Sequence, residues 1–136
     1  MQPYIVDSII NADGYETKTE TRIIREVISP QTATTLGAML VNVVRNGHGG
    51  KAGVDGYYVA GKTGTAQIPS QDGPGYDPNF TIGSFCGFAP ADDPKFVMCV
   101  KIDKPRTVQW AESTAAPIFG HLAQFMLNYY GIPPEE

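Results

Sequence analysis

The sequence predicts an α+β fold: an antiparallel sheet, a long helix before the first sheet strand and a C-terminal helix packed on the sheet. Three observations carry this. Strand-like runs at 57–67, about 80–89 and about 95–103 follow one another with no helical pattern between them. An amphipathic helical pattern precedes the first run, and an apolar helical pattern near 114–130 follows the last. Strands in a row, flanked rather than interleaved by helices, favour an antiparallel sheet over a doubly wound parallel one.

Composition sets the limits within which these elements must fold. The chain has 136 residues, 42% of them hydrophobic and 18% charged, enough for a packed core in one domain or part of one. Fifteen glycines and eleven prolines stay below the roughly 25–30% share that marks low complexity. Lys and Arg number 10 against 14 Asp and Glu, for a net charge of -4, and no basic block stands out, so nucleic acid is not an expected partner. Apolar runs such as Phe96-Val97-Met98-Cys99-Val100 are far shorter than the ~18 residues a membrane span needs. Met1-Gln2-Pro3-Tyr4-Ile5 carries neither a basic nor an apolar leader segment, so no targeting signal is visible.

In chain order, residues 4–28 read as extended, with Asn11-Ala12-Asp13-Gly14 as the turn of a hairpin or of two short strands. Ser29 is a natural helix N-cap and Pro30 suits the first helical position. Leu36, Met39, Leu40, Val43 and Val44 recur on one helical face, expected to be buried. Asn46-Gly47 should end that helix, with Gly47 in the left-handed C′ position. The first sheet strand is expected to begin at Tyr57-Tyr58-Val59-Ala60, and the segment 68–79 to be a loop, either flanking substrate with Tyr76 and Phe80 or serving as a solvated connector. Ala91-Asp92-Asp93-Pro94 joins the next two strands as a hairpin. In the last helix, Ile118, Phe119, Leu122, Phe125, Met126 and Tyr129 form the apolar stripe, and Gly131 with Pro133-Pro134 stops it.

Two cysteines are too few for a disulfide scaffold or a zinc site, and Cys86 and Cys99 read as small buried apolar residues. A two-residue turn at Asp92-Asp93 sets them opposite one another. They are expected as free thiols, because disulfide geometry is demanding.

The chemistry concentrates in Val59-Ala60-Gly61-Lys62-Thr63-Gly64-Thr65-Ala66-Gln67. Gly56 to Thr63 matches G-x-x-x-x-G-K-[ST], the phosphate-cradling P-loop, and so admits a nucleotide-binding reading. The context opposes it. A P-loop follows a strand and opens a helix at its Lys-Thr, whereas here the preceding residues are glycine-rich and polar and Gly64 follows at once. The alternative is a Lys-Thr-Gly strand, known alongside S-x-x-K and S-D-N in β-lactamases and penicillin-binding proteins. Alternation along a strand puts Lys62 and Gly64 on one face and Thr63 and Thr65 on the other. A lysine there supplies positive charge for a carboxylate, glycine admits a substrate backbone closely, a threonine hydroxyl donates to the carboxylate, and a backbone N–H can complete an oxyanion hole. An ordinary edge-strand lysine is the plainer reading of Lys62.

Further segments support the second reading. They are Pro3-Tyr4-Ile5-Val6, Asp13-Gly14, Arg25-Glu26-Val27-Ile28-Ser29, Ser84-Phe85-Cys86-Gly87-Phe88-Ala89-Pro90 and Ala115-Ala116-Pro117-Ile118-Phe119. With Lys62-Thr63-Gly64-Thr65 they make the whole chain, 1–136, resemble the C-terminal portion of the transpeptidase domain of class B, high-molecular-weight penicillin-binding proteins. That resemblance implies a D,D-transpeptidase that cross-links peptidoglycan stem peptides through a serine acyl-enzyme and is acylated by β-lactams. It implies Lys62, Thr63 and Gly64 as the third active-site motif. Thr65 would bind the substrate carboxylate and supply an oxyanion-hole amide. It implies no cofactor and no metal. The implied partners are the stem peptide, β-lactams and the missing upstream half of the domain. The implied location is the outer face of the bacterial cytoplasmic membrane.

The chain also departs from the family. Three positions after Ser8, Ser29, Ser70, Ser84 and Ser113 stand Asn11, Thr32, Gly73, Gly87 and Ala116, so Ser-x-x-Lys does not occur, nor does Ser-x-Asn. The nucleophile-bearing half is therefore absent, and the chain alone is expected to be inactive. A non-catalytic penicillin-binding-like sensor or scaffold is the alternative. The family's Gly-Thr-Gly after the long helix is here Gly47-His48-Gly49. His48 reads as a residue of a solvated turn, His121 as the flank of the last helix, and Trp110 as a cap on the core. Tyr129 and Tyr130 read as helix packing at the chain end.

Overall fold

The computed structural model describes residues 1–135. The chain divides into two units, the first Met1–Ala33 and the second from Thr34 onward. In the first, β1 (Ser8–Ile10) and β2 (Glu16–Lys18) form the expected antiparallel hairpin, with Ser8 opposite Lys18. Its turn is closed by Asn11 N–H donating to Tyr15 O at 3.0 Å. Gly14 takes φ 80°, a left-handed conformation open to glycine.

Helix α1 spans Pro30–Asn46. Its start is as predicted: Ser29 Oγ accepts from the Thr32 N–H at 3.1 Å. Its end is not. Gly47 is absent from the left-handed positions among the described residues. It donates to Val43 O at 3.0 Å, and a Cβ there would sit 2.8 Å from the same oxygen. Glycine is required by close approach, not by φ. The predicted apolar face is also only partly covered: Val44 is buried, Leu40 and Val43 half-buried, Leu36 and Met39 exposed.

The sheet of the second unit has the order β3 (Ala60–Pro69), β4 (Tyr76–Ala89), β5 (Phe96–Asp103), antiparallel throughout. The predicted start at Tyr57 is three residues early. Tyr57 bridges back to Val54 around Gly56 at φ 82°, and its hydroxyl donates to Ile132 O at 2.6 Å. Half of the predicted loop 68–79 is strand, at 68–69 and 76–79. β3 and β4 form one long hairpin, with a register irregularity after Gln67 and a tip closed by Ser70 N–H donating to Gly75 O. Polar and glycine-rich composition mimicked a loop because this projection is exposed on both faces. Tyr76 and Phe80 lie on it, and the Lys104 ammonium stands 5.6 Å from the Phe80 ring.

The expected register of β4 against β5 holds, with Cys86 opposite Cys99, but the turn is longer: Ala89 pairs with Phe96 and residues 90–95 form the connection. Pro90 and Pro94 have no N–H to extend the ladder inward. The connection grows symmetrically about the same centre, so the pairing survives. The cysteines themselves correct the prediction. They are exposed and joined as a disulfide, their Cα atoms 4.1 Å apart. Cross-strand partners without mutual hydrogen bonds bring side chains closest, and this pair occupies such a position.

Helix α2 (Ala115–Tyr129) covers one sheet face, but of the predicted stripe only Phe119 is buried and Met126 half-buried. Its buried residues are Ala115, Ala116, Phe119, Gly120, Ala123 and Leu127, while Ile118, Leu122, Phe125 and Tyr129 are exposed. Small residues face inward because the backbone approaches closely. A Cβ on Gly120 would meet Lys51 O, in a short 3-10 turn at Gly50–Ala52, at 2.8 Å. The core beneath α2 is built around Phe85 and Phe119, whose ring centroids are 4.6 Å apart, with Val59, Val44 and Leu127. Tyr129 and Tyr130 pack on each other and on Phe125 at the surface, not into this core.

Candidate active site

β3 is an edge of its three-stranded sheet, so one side of the Lys-Thr-Gly segment is free of strand partners. Lys62 and Thr63 lie inside this strand and open no helix, which removes the P-loop reading. The pairs Lys62–Cys86 and Gly64–Ser84 set Lys62 and Gly64 on the face opposite α2. Thr63 pairs with the buried Phe85 and points to the other face with Thr65.

The four predicted residues therefore form one continuous edge with two chemistries. The exposed Lys62 curls over the strand. Its ammonium donates to Thr63 O at 3.0 Å and Thr63 Oγ1 at 3.1 Å. Positive charge thus stands beside a hydroxyl that faces the opposite side. Thr65 Oγ1 accepts the Ala111 N–H at 3.3 Å, leaving its own hydrogen available to a ligand oxygen. At Gly64 the carbonyl accepts from Ser84 Oγ at 3.3 Å, and a Cβ would come within 2.7 Å of that oxygen.

Thr63 and Thr65 line a cleft of about 390 Å³, completed by His48, Trp110, Ala111 and Glu112. Three of these residues were read otherwise or not at all from sequence. Trp110 does not cap the core: it is 66% exposed and lends its indole to the cleft. His48 does lie exposed after α1, but its Nδ1 is 3.0 Å from Glu112 Oε2. The one signal for His48 in the sequence was its place between two glycines, Gly47 and Gly49. Glu112 gave no signal, because its contact reaches 64 positions back along the chain. Beside this contact, Lys51 Nζ donates to Ser113 Oγ at 3.0 Å, a second tie between the same two segments.

Residues 1–124 match the family model described as the penicillin-binding protein transpeptidase domain. The chain belongs to the penicillin-binding protein transpeptidase family. Penicillin-binding protein PbpB of Mycolicibacterium smegmatis is 40% identical over 141 residues, covering 96% of this chain and 22% of that protein. Stage V sporulation protein D of Bacillus subtilis is 44% identical over 113 residues, covering 82% of this chain and 17% of its own. The crystal structure of penicillin-binding protein 3 from Mycobacterium tuberculosis complexed with ampicillin superimposes with a TM-score of 0.84 at 31% identity. That alignment covers 95% of this chain and 30% of the other. The chain thus spans about a fifth of the length of these curated relatives. The transpeptidase match includes α1, the sheet and most of α2, so the fold predicted from the motif segments is the family's own.

Proposed function

We propose that residues 1–136 act as the C-terminal portion of a peptidoglycan D,D-transpeptidase domain and supply the Lys-Thr-Gly wall of its active site. The observation that carries this is the edge strand β3. It sets the hydroxyls of Thr63 and Thr65 on the lining of one open cleft, with the Lys62 ammonium 3.1 Å from Thr63 Oγ1. In this reading Thr63 and Thr65 donate to the carboxylate of a stem peptide or β-lactam, and Lys62 adds the positive charge that holds it. Gly64 lets the ligand backbone lie against the strand. The Thr65 N–H contributes to the oxyanion hole that stabilises the charge formed as a serine oxygen attacks the scissile carbonyl.

The serine must come from a second, nucleophile-bearing half, since no Ser-x-x-Lys occurs in the 136 residues. The chain alone therefore has charge stabilisation without an attacking group, and it is inactive by itself. A location on the outer face of the bacterial cytoplasmic membrane agrees with the Cys86–Cys99 disulfide, a bond that persists in oxidising compartments. Among the described residues no helix is long and apolar enough to cross a membrane, so any attachment would rest on other segments.

The test is incubation with a fluorescent penicillin followed by denaturing electrophoresis. No label is expected on this chain alone. Mixed with the nucleophile-bearing half, the complex is expected to acquire a label on that other half. A covalent label on this chain, or none on the complex, overturns the proposal.

A further inference from the structure

The His48–Glu112 contact lies on the lining of the cleft that Thr63 and Thr65 share. Its geometry fixes one proton. A carboxylate has no hydrogen to give, so His48 Nδ1 is the donor to Glu112 Oε2 at 3.0 Å. Of the cations nearby, Lys51 Nζ donates to Ser113 Oγ at 3.0 Å and Lys62 Nζ to Thr63 Oγ1 at 3.1 Å. His121, on α2, is exposed on that helix and lines no part of the cleft. His48 is thus the group in contact with the one acidic residue of the cleft lining.

That matters for an anionic ligand. A cleft of about 390 Å³ is comparable in width with the Debye length, about 8–10 Å at physiological salt. Charges on its lining therefore act on whatever enters it. Thr63 and Thr65 offer hydroxyl donors to a carboxylate, while an unmasked Glu112 would repel the same group. The pair is exposed, with side-chain accessibilities of 85% and 44%, so its contribution to folding is small. Its effect falls on the potential inside the cleft.

We propose that His48 is a specificity-determining residue that masks the Glu112 carboxylate and so makes the Thr63–Thr65 cleft receptive to carboxylate-bearing ligands. This rests on the function proposed above. Glu112 in turn holds the imidazole over the cleft.

The experiment uses this chain in complex with the nucleophile-bearing half, and measures penicillin acylation as a function of ligand concentration. His48→Ala should weaken the concentration dependence by about twofold to fivefold, the scale of one exposed hydrogen-bonded pair. The limiting acylation rate should be unchanged. Glu112→Gln should bind as tightly as the unsubstituted complex or more tightly. The double variant H48A/E112Q should return to within about twofold of it, because no charge remains to be masked. A purely structural tie predicts the opposite: both single variants impaired and no rescue in the double. Unchanged affinity in His48→Ala, or no rescue in the double variant, overturns the masking role while leaving the function intact. Absence of acylation in the unsubstituted complex overturns both.

Discussion

Cys86 and Cys99 stand directly opposite each other on β4 and β5, bonded through sulfur, and Lys62 extends the same cross-strand row onto β3. The disulfide therefore ties the middle of the sheet to its far edge on the face that also carries the lysine. Because the β4–β5 hairpin already brings these positions together, the bond removes less chain freedom than its loop length suggests. Cys99→Ser should cost about 1–3 kcal/mol, at or below the ~3 kcal/mol that chain entropy assigns to a 15-residue loop. Urea denaturation with and without a reductant measures it. Equal midpoints in both conditions would show that the bond contributes nothing. Mass spectrometry without reductant should find two hydrogens fewer than the reduced chain.

Two glycines three positions apart on β3 should behave differently. A Cβ at Gly61 would lie 2.5 Å from the Phe85 ring and 3.0 Å from Cys86 O, inside a packed core. Gly61→Ala is expected to destabilise by about 1–3 kcal/mol or more through overpacking. At Gly64 the single obstacle is Ser84 Oγ at 2.7 Å, a hydroxyl that can rotate away. Gly64→Ala should therefore keep the melting temperature nearly unchanged, yet slow acylation of the reconstituted domain by blocking ligand approach. Thermal melts and labelling rates on both variants separate the two effects. A Gly64→Ala chain that unfolds would mean the glycine is structural.

The contrast between those glycines also shows what sequence made legible. Strand alternation gave the faces of Lys62, Thr63, Gly64 and Thr65, because a strand's period is two whatever surrounds it. Ser29 and Pro30 gave the start of α1, since a cap is a local event. The inward face of α2 was misread for a physical reason. The helix is apolar nearly all round, so bulk alone could not say which side faces the sheet, and the close approach at Gly120 selected the small residues. The cleft lining was invisible beyond Thr63 and Thr65. His48 and Glu112 meet only through tertiary folding, and Trp110 reads from sequence as a core residue although its indole is exposed. The disulfide was legible as a pairing but not as a bond, since register is set by the hairpin and oxidation by the sulfur geometry and compartment.

Lys62→Ala should be nearly silent in stability and severe in function. The side chain is exposed and its bonds reach only the adjacent Thr63. Loss of a single electrostatic donor to a reacting centre costs on the order of 100- to 1000-fold in rate. Stopped-flow acylation of the reconstituted domain, beside a denaturation curve for the same variant, tests both halves. Unchanged acylation would remove Lys62 from the site and leave it an ordinary edge lysine.

Phe119→Ala tests the core that positions this wall. The ring is fully buried and packs on Phe85 at 4.6 Å between centroids. Truncation should cost about 3–5 kcal/mol. Guanidinium unfolding measures it. A loss below about 1 kcal/mol would mean that α2 is not anchored through this contact.

The isolated chain should self-associate. β5 is an edge of its sheet, with Val97 80% exposed on it. An unpaired strand edge with exposed β-branched side chains is a template for another strand. α2 adds Ile118, Leu122, Phe125 and Tyr129 on one exposed face, spaced so that all four project together. Contiguous apolar surface of this kind marks a place where something docks or aggregates. The net charge of -4 is too small to keep such faces apart at high concentration. Sedimentation velocity on the isolated chain should therefore show oligomers that grow with concentration. Val97→Lys should reduce them by charging the strand edge, and Phe125→Glu should do so by interrupting the helix face. Neither should alter the far-ultraviolet circular dichroism, since both side chains already lie outside the core. Addition of the nucleophile-bearing half should shift the oligomers to a one-to-one complex. A monodisperse monomer at every concentration would show that these surfaces need no cover, and with it the dependence on an upstream half would lose its structural support.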